Sequence, residues 1–129
     1  MSGEKTFTRK EFLNAWWKAA RPPFYIATLV PLFLGFIAAG KDSGSWNGLI
    51  FCGALAVSFA LHLCANLAND LFDFLAGTNS EETIGGTGGL VGGVTTPRQY
   101  KIALTALYTL SSALTGIGVL LTGLHGLWL

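Results

Sequence analysis

Three long stretches of the chain carry no charged residue: Phe24 to Gly40, Trp46 to Asn69, and Ile102 to Leu129. A helix crossing a bilayer needs roughly 20 mainly apolar residues, with about 17 as the lower limit. The second and third stretches exceed this. The first reaches it, and does so more easily if Trp16 and Trp17 begin the helix from the interface. The pattern predicts an all-α membrane protein with spans at about 22–40, 46–69 and 101–129. Arg21-Pro22-Pro23 marks the start of the first span, because proline in a first turn costs no hydrogen bond. Pro31 falls inside that span and is expected to loosen or kink it. Gly40 to Gly44 is predicted as a short external turn. The second helix is expected to run from about Trp46 past the membrane boundary.

Outside the spans, residues 1–15 form a polar tail, and Phe12 to Ala20 reads as an amphipathic interfacial helix with Trp16 and Trp17 at headgroup level. Residues 77–99 hold seven glycines, Gly77, Gly85, Gly86, Gly88, Gly89, Gly92 and Gly93. Such a loop cannot face lipid, where its backbone groups would go unsatisfied, so it must lie in water or cover a cavity. Thr96-Pro97 is a helix start, a capping hydroxyl followed by proline at the first position. The third helix is expected to run to the final residue. It closes on Leu127-Trp128-Leu129 without a charged flank, which suggests a truncated chain, since spans usually end in polar or interfacial anchors.

Composition supports the membrane reading: 51% of residues are hydrophobic and 12% charged, against about 25% charged in soluble domains. A secretory signal does not fit, because the apolar run begins only at Phe24 and has Pro31 at its middle. Lys5, Arg9, Lys10, Lys18 and Arg21 precede the first span, Lys41 follows it, and Arg98 and Lys101 lie between the second and third. The excess of Lys and Arg in cytoplasmic segments places the N-terminus and the 70–100 loop in the cytoplasm. Cys52 and Cys64, twelve residues apart on one helix, are separated by about 18 Å and cannot pair with each other.

The chemistry concentrates in His62-Leu-Cys-Ala-Asn66-Leu-Ala-Asn69-Asp70-Leu-Phe-Asp73. At about 100° per residue, Asn66, Asp70 and Asp73 fall within roughly 60° of arc, and adding His62 and Asn69 widens this to about 100°. Leu67, Leu71 and Leu75 take the other side. An Asp at the centre of a span costs about 2.5–3.5 kcal/mol on insertion scales, so polar groups in spans usually face a water-filled cavity or a protein interior. Two carboxylates on one stripe repel unless a cation lies between them. Hard oxygen ligands suit Mg²⁺, which typically uses one or two carboxylates plus substrate phosphates. The plain alternative is a solvated helix end with no function.

At these residues the chain resembles a known family. The match runs through Trp17-Lys-Ala-Ala-Arg21-Pro22, Pro31 with Gly35, and Asn66-Leu-Ala-Asn69-Asp70-Leu-Phe-Asp73. It continues through Gly77-Thr-Asn79, Gly86-Thr-Gly-Gly-Leu-Val-Gly-Gly93 and Thr96-Pro97-Arg98-Gln99. The chain resembles the membrane prenyltransferases of the UbiA superfamily, and within them the 1,4-dihydroxy-2-naphthoate polyprenyltransferases of menaquinone synthesis (MenA type). The resemblance implies transfer of a polyprenyl group from polyprenyl diphosphate to an aromatic acceptor, with Mg²⁺ as cofactor, in the cell (inner) membrane and with no nucleic-acid partner. Carried over by position, Asp70 and Asp73 are metal–diphosphate ligands, Asn66 and Asn69 polar partners beside them, and the Gly-rich loop part of a cytoplasmic cap. Many members place a further acidic residue four positions after the second Asp, where this chain has Gly77; in the naphthoate branch an Asp often comes slightly later, near Asn79. Family members have eight or nine spans and a second Asp-rich motif. The resemblance therefore implies that residues 1–129 form the N-terminal part of a larger helix bundle, inactive alone, with a missing C-terminal half as partner.

Among the remaining candidates, His62 is expected to pack against a neighbouring helix, and His125 to be interfacial. Gly85 to Gly93 matches neither the Walker nor the dinucleotide pattern. Arg98 is a possible diphosphate contact, with lipid phosphate as the equal alternative. Arg21 and Lys18 are accounted for by topology. Two other functions remain open: a small oligomeric three-span transport or channel subunit binding a divalent cation, and an inactive structural remnant.

Overall fold

A computed structural model of the chain describes residues 6–78 and 87–123. Lys5, Asn79, Gly85, Gly86, His125 and Leu127 to Leu129, singled out above, lie outside the described residues. Four α-helices follow in order: α1 (Arg9–Ala20), α2 (Ile26–Ser43), α3 (Gly48–Leu75) and α4 (Pro97–Thr122), with a 3₁₀ turn, Pro22–Tyr25, between the first two. Three helical stretches, Arg9–Ser43, Gly48–Leu75 and Pro97–Leu121, are long and apolar enough to cross a membrane. The protein is an all-helical, multi-pass membrane protein.

Helices α1, α3 and α4 begin where the sequence supplies a side-chain cap, whereas α2 follows the 3₁₀ turn with no such hydrogen bond from Tyr25. The Thr8 hydroxyl accepts the Glu11 N–H at 3.3 Å while the Glu11 carboxylate accepts the Thr8 N–H at 2.7 Å, a reciprocal box that satisfies two orphan donors. The interfacial helix therefore starts a turn before Phe12, where the apolar pattern alone placed it. Asn47 accepts the Ile50 N–H at 3.1 Å at the head of α3. In α4 the Gln99 N–H donates to Thr96 Oγ1 at 3.3 Å and the Thr96 N–H to Gln99 Oε1 at 2.9 Å. Pro97 occupies the first helical position, so the glycine-rich segment ends at Thr96 and not at Gln99.

The span boundaries differ from expectation in particular ways. Pro22 and Pro23 begin a 3₁₀ turn, with α-helix from Ile26. Gly40 to Ser43, expected as a turn, continue α2, which ends at Gly44 in the left-handed conformation, φ 68°. The Ser43 hydroxyl donates back to the Ala39 carbonyl at 2.7 Å and holds this last turn. Helix α3 starts at Gly48 and runs on to Leu75. Its 28 residues span about 42 Å, more than the roughly 30 Å hydrocarbon core, so its polar end emerges from the apolar zone. Helix α4 is described to Thr122.

The chain forms two compact units, one of Met1–Pro22 with Ala65–Leu104 and one of Pro23–Cys64 with Thr105–Leu129. In the second unit α2 and α3 meet through aromatic rings. Phe36 lies 4.3 Å from Phe51 and 5.1 Å from Trp46, and Phe33 lies 4.9 Å from Phe51, centroid to centroid. Such contacts suit lipid, where packing and not water exclusion holds helices together. Tyr25 stacks on His62 at 4.6 Å, and Thr28 Oγ1 pairs with His62 Nδ1 at 2.6 Å. His62 thus finds its partners on a neighbouring helix, as a polar group in a span must. Within α4, Thr109 and Thr115 donate to the carbonyls of Thr105 and Ser111, each at 2.8 Å, which satisfies hydroxyls that lipid cannot.

In the first unit Ala15 and Ala19 of α1, Leu67 and Leu71 of α3, Leu90, and Tyr100 of α4 are buried. Trp16 stacks on Tyr100 at 5.1 Å with 25° between planes, whereas Trp17 is exposed. The two tryptophans expected together at headgroup level are therefore divided: Trp16 packs inward and Trp17 faces out. Gly88 and Gly93 adopt φ of +73°, conformations that side chains resist. Between them the Gly92 N–H bonds the Gly88 carbonyl at 2.9 Å, and the Thr95 N–H bonds the Gly89 carbonyl at 3.0 Å. The glycine segment is here a wound turn whose backbone satisfies itself.

A Cβ at Gly92 would lie 2.9 Å from the Gly88 carbonyl oxygen, whereas one at Gly53 in α3 meets nothing within 4 Å. Gly92→Ala is expected to destabilise the turn by about 1–3 kcal/mol, as overpacking does. Gly53→Ala is expected to be neutral or stabilising by about 0.4–1 kcal/mol. Thermal unfolding of the two variants in detergent checks the contrast.

Candidate functional site

The last three turns of α3 carry the polar cluster, and the structure divides its members. Relative to Asp70, Leu67 lies about 60° and Leu71 about 100° round the helix, and all three are buried. Asp70 therefore sits at the seam where the polar stripe meets the packed face. Asn69 is exposed, while Asn66 and Asp73 are half-buried. Arg98 is exposed in the first turn of α4. His62 belongs to the other unit.

Asp70 is the centre of the first unit. Its side chain is only 2% exposed, and its Oδ1 accepts a hydrogen bond from Arg21 Nη2 at 2.8 Å. Its Oδ2 accepts from the Thr87 hydroxyl and, at 3.4 Å, from the Tyr100 hydroxyl. One turn earlier on α3, Asn66 Nδ2 donates to the Ala20 carbonyl at 2.9 Å. Asn66 and Asp70, four residues apart on one face, thus grip the consecutive residues Ala20 and Arg21. A buried carboxylate needs both a counter-charge and hydrogen bonds to its remaining lone pairs. Arg21 supplies the first, and the two hydroxyls supply the second.

Arg21 is itself unusual. It is the non-glycine residue with positive φ, 52°, among the described residues, a conformation that costs L-residues about 1–2 kcal/mol. Its N–H bonds the Lys18 carbonyl at 3.1 Å and closes α1. The turn redirects the chain while the guanidinium reaches Asp70. In the sequence Arg21 is accounted for by topology and by the start of the first span, and neither Thr87 nor Tyr100 stands out as its neighbour at Asp70. An arginine before paired prolines was the available signal for the first. For the hydroxyls, no local pattern announces a partner 17 or 30 residues away.

The cluster suits a hard cation in its chemistry: two carboxylates and two amide oxygens at one helix end. Among the described residues no three His, Cys, Asp or Glu side chains converge to hold a metal. Mg²⁺ does not require three, because it takes one or two carboxylates and completes its shell with water and phosphate oxygens. The residues fit that role, with one electrostatic qualification: a cation at Asp70 meets the charge of Arg21 already on Oδ1.

Comparison with curated proteins finds similarity to naphthoate prenyl- and phytyltransferases, over part of the length of each. It is 33% identical over 112 residues to the 1,4-dihydroxy-2-naphthoate octaprenyltransferase of Haemophilus influenzae, covering 82% of this chain and 34% of that protein. It is 30% identical over 118 residues to the enzyme of the same name from Escherichia coli, covering 88% of this chain and 36% of the relative. A 58-residue match at 36% identity links it to the 2-carboxy-1,4-naphthoquinone phytyltransferase of Synechocystis, covering 45% of this chain and 19% of the relative. The chain thus spans about a third of the length of the two octaprenyltransferases. No family model and no solved structure matches it.

Proposed function

We propose that the chain is part of a prenyltransferase that moves a polyprenyl group from its diphosphate to 1,4-dihydroxy-2-naphthoate in menaquinone synthesis, and that α3 carries the diphosphate end of its site. The observation that carries the reading is the polar helix end, Asn66 to Asp73, in a chain matched over 82% and 88% of its length by two naphthoate octaprenyltransferases. In the two octaprenyltransferases that the chain resembles, the matched stretch is about a third of the polypeptide.

In this reading Asp70 and Asp73 hold Mg²⁺ against the diphosphate, with Asn66 and Asn69 beside them and Arg98 as a possible further contact. When bound, the metal supplies Lewis-acid stabilisation of charge on the leaving diphosphate. The chain's own contribution is to keep the oxygen donors fixed on a rigid helix. Burial of Asp70 keeps bulk water from one side of the cluster. The wound turn at 88–95 follows Thr87, which bonds Asp70, and in this reading forms part of a cap. The arginines and lysines around α1 and α4 favour a cytoplasmic face for this site in the inner membrane.

The test uses membranes carrying the full-length polypeptide, a labelled polyprenyl diphosphate and 1,4-dihydroxy-2-naphthoate. Transfer is expected to stop on chelation and return with Mg²⁺. Asp73→Ala should lower it by about 100-fold or more, the size of a lost charge-stabilising contact. Full transfer by Asp73→Ala, or transfer indifferent to chelation, sinks the assignment.

A further inference from the structure

Asp70 meets Arg21 at 2.8 Å and is 2% exposed, so the guanidinium is its resident counter-ion within the chain. A divalent cation approaching the same carboxylate faces a fixed positive charge a few ångströms away. Unit charges at about 4 Å interact strongly in a partly buried site, much more than in water. Each carboxylate oxygen offers two acceptor positions. At Oδ1 one is taken by Arg21, and Oδ2 is shared by Thr87 and Tyr100. The open position on Oδ1 is therefore the one lying beside the guanidinium.

Arg21 has somewhere to go. Its side chain is 22% exposed, and it stands in the turn between α1 and Pro22, outside regular α-helix. Moving a long side chain toward headgroups and water costs little compared with burying a second cation beside it. Removing the guanidinium without replacement, by contrast, leaves a buried charge unpaired.

We propose that Arg21 and the divalent cation compete for Asp70, so that the arginine acts as a built-in gate that the metal must displace to complete the site. The inference rests on the metal reading given above and specifies how that site is regulated. It makes metal affinity weaker than the donor set alone allows. Filling the site then frees a cationic side chain at the place where an anionic diphosphate arrives. An isolated cation must work against the gate, whereas a cation that arrives with a diphosphate brings the charge that Arg21 can take in exchange.

The experiment titrates Mn²⁺ alone, without prenyl substrate, into the full-length polypeptide in nanodiscs and reads bound metal by electron paramagnetic resonance. Arg21→Gln is expected to bind Mn²⁺ about tenfold more tightly than wild type, because the competing charge is gone. Arg21→Lys, which keeps the charge, should stay within about twofold of wild type. In an Asp70→Asn background the Arg21→Gln gain should vanish. A measurement on the wild-type chain guards against variants that fail to fold: modification of Arg21 by phenylglyoxal, followed by mass spectrometry, should speed up as Mn²⁺ fills the site. Equal Mn²⁺ affinity in wild type and Arg21→Gln, or an Arg21 modification rate indifferent to Mn²⁺, overturns the competition and leaves the metal site standing. Absence of Mn²⁺ binding in every form overturns both.

Discussion

Arg21→Ala is expected to cost about 3–5 kcal/mol of stability, because it leaves the Asp70 carboxylate buried without a counter-charge. The asymmetry of the pair decides this. Arg21 is 22% exposed and can turn to water, but Asp70 at 2% cannot. The Thr87 and Tyr100 hydroxyls still donate to Oδ2, yet neutral donors only partly offset a desolvated charge. Asp70→Asn should cost less, since an amide needs no counter-ion and its oxygen can still accept from a hydroxyl. The double variant Arg21→Ala/Asp70→Asn should therefore be more stable than Arg21→Ala alone. Equilibrium unfolding in mixed micelles gives the four corners of the cycle. Strict additivity would mean that the 2.8 Å contact contributes nothing to stability.

Leu67→Ala should be the other severe substitution, at about 2–5 kcal/mol for a fully buried leucine. Leu75→Ala, two turns along the same helix, should stay within about 0.5 kcal/mol. Leu67 is 1% exposed and Leu75 57%. By sequence both lie on the apolar side of the stripe, and only their burial in the fold separates them. Matched unfolding curves for the two variants test whether the packed face of α3 ends near Leu71. Similar losses from both would show that it continues to the helix end.

That pair also marks how far the sequence could be followed. Uncharged runs of sufficient length place three membrane helices, and Thr96-Pro97 locates the start of α4 to the residue. These are local signals, and local geometry suffices for them. The reach of the α3 stripe is likewise a matter of 100° steps. What spacing cannot provide is the neighbour across the gap. The seam position of Asp70 follows from packing, and the stripe alone assigned it the same environment as Asp73. Arg21 lies 49 residues from its partner, and the positive-inside tendency already explained it well enough to hide its second role. Trp16 and Trp17 show the same limit: adjacent in sequence, they point to different surroundings because Tyr100 offers a stacking surface to one of them. The prolines at 22 and 23 announced a boundary correctly but not its form, since a first-turn proline is equally at home in 3₁₀ and α geometry.

The contacts of Asp70 also have an order in time. Its codon is translated 49 residues after that of Arg21, 17 before Thr87 and 30 before Tyr100. N-terminal segments leave the ribosome first. The carboxylate therefore emerges with its guanidinium partner already made, while both hydroxyl donors are still to come. The partner that neutralises charge precedes those that only refine geometry, so the carboxylate is never made before its counter-ion.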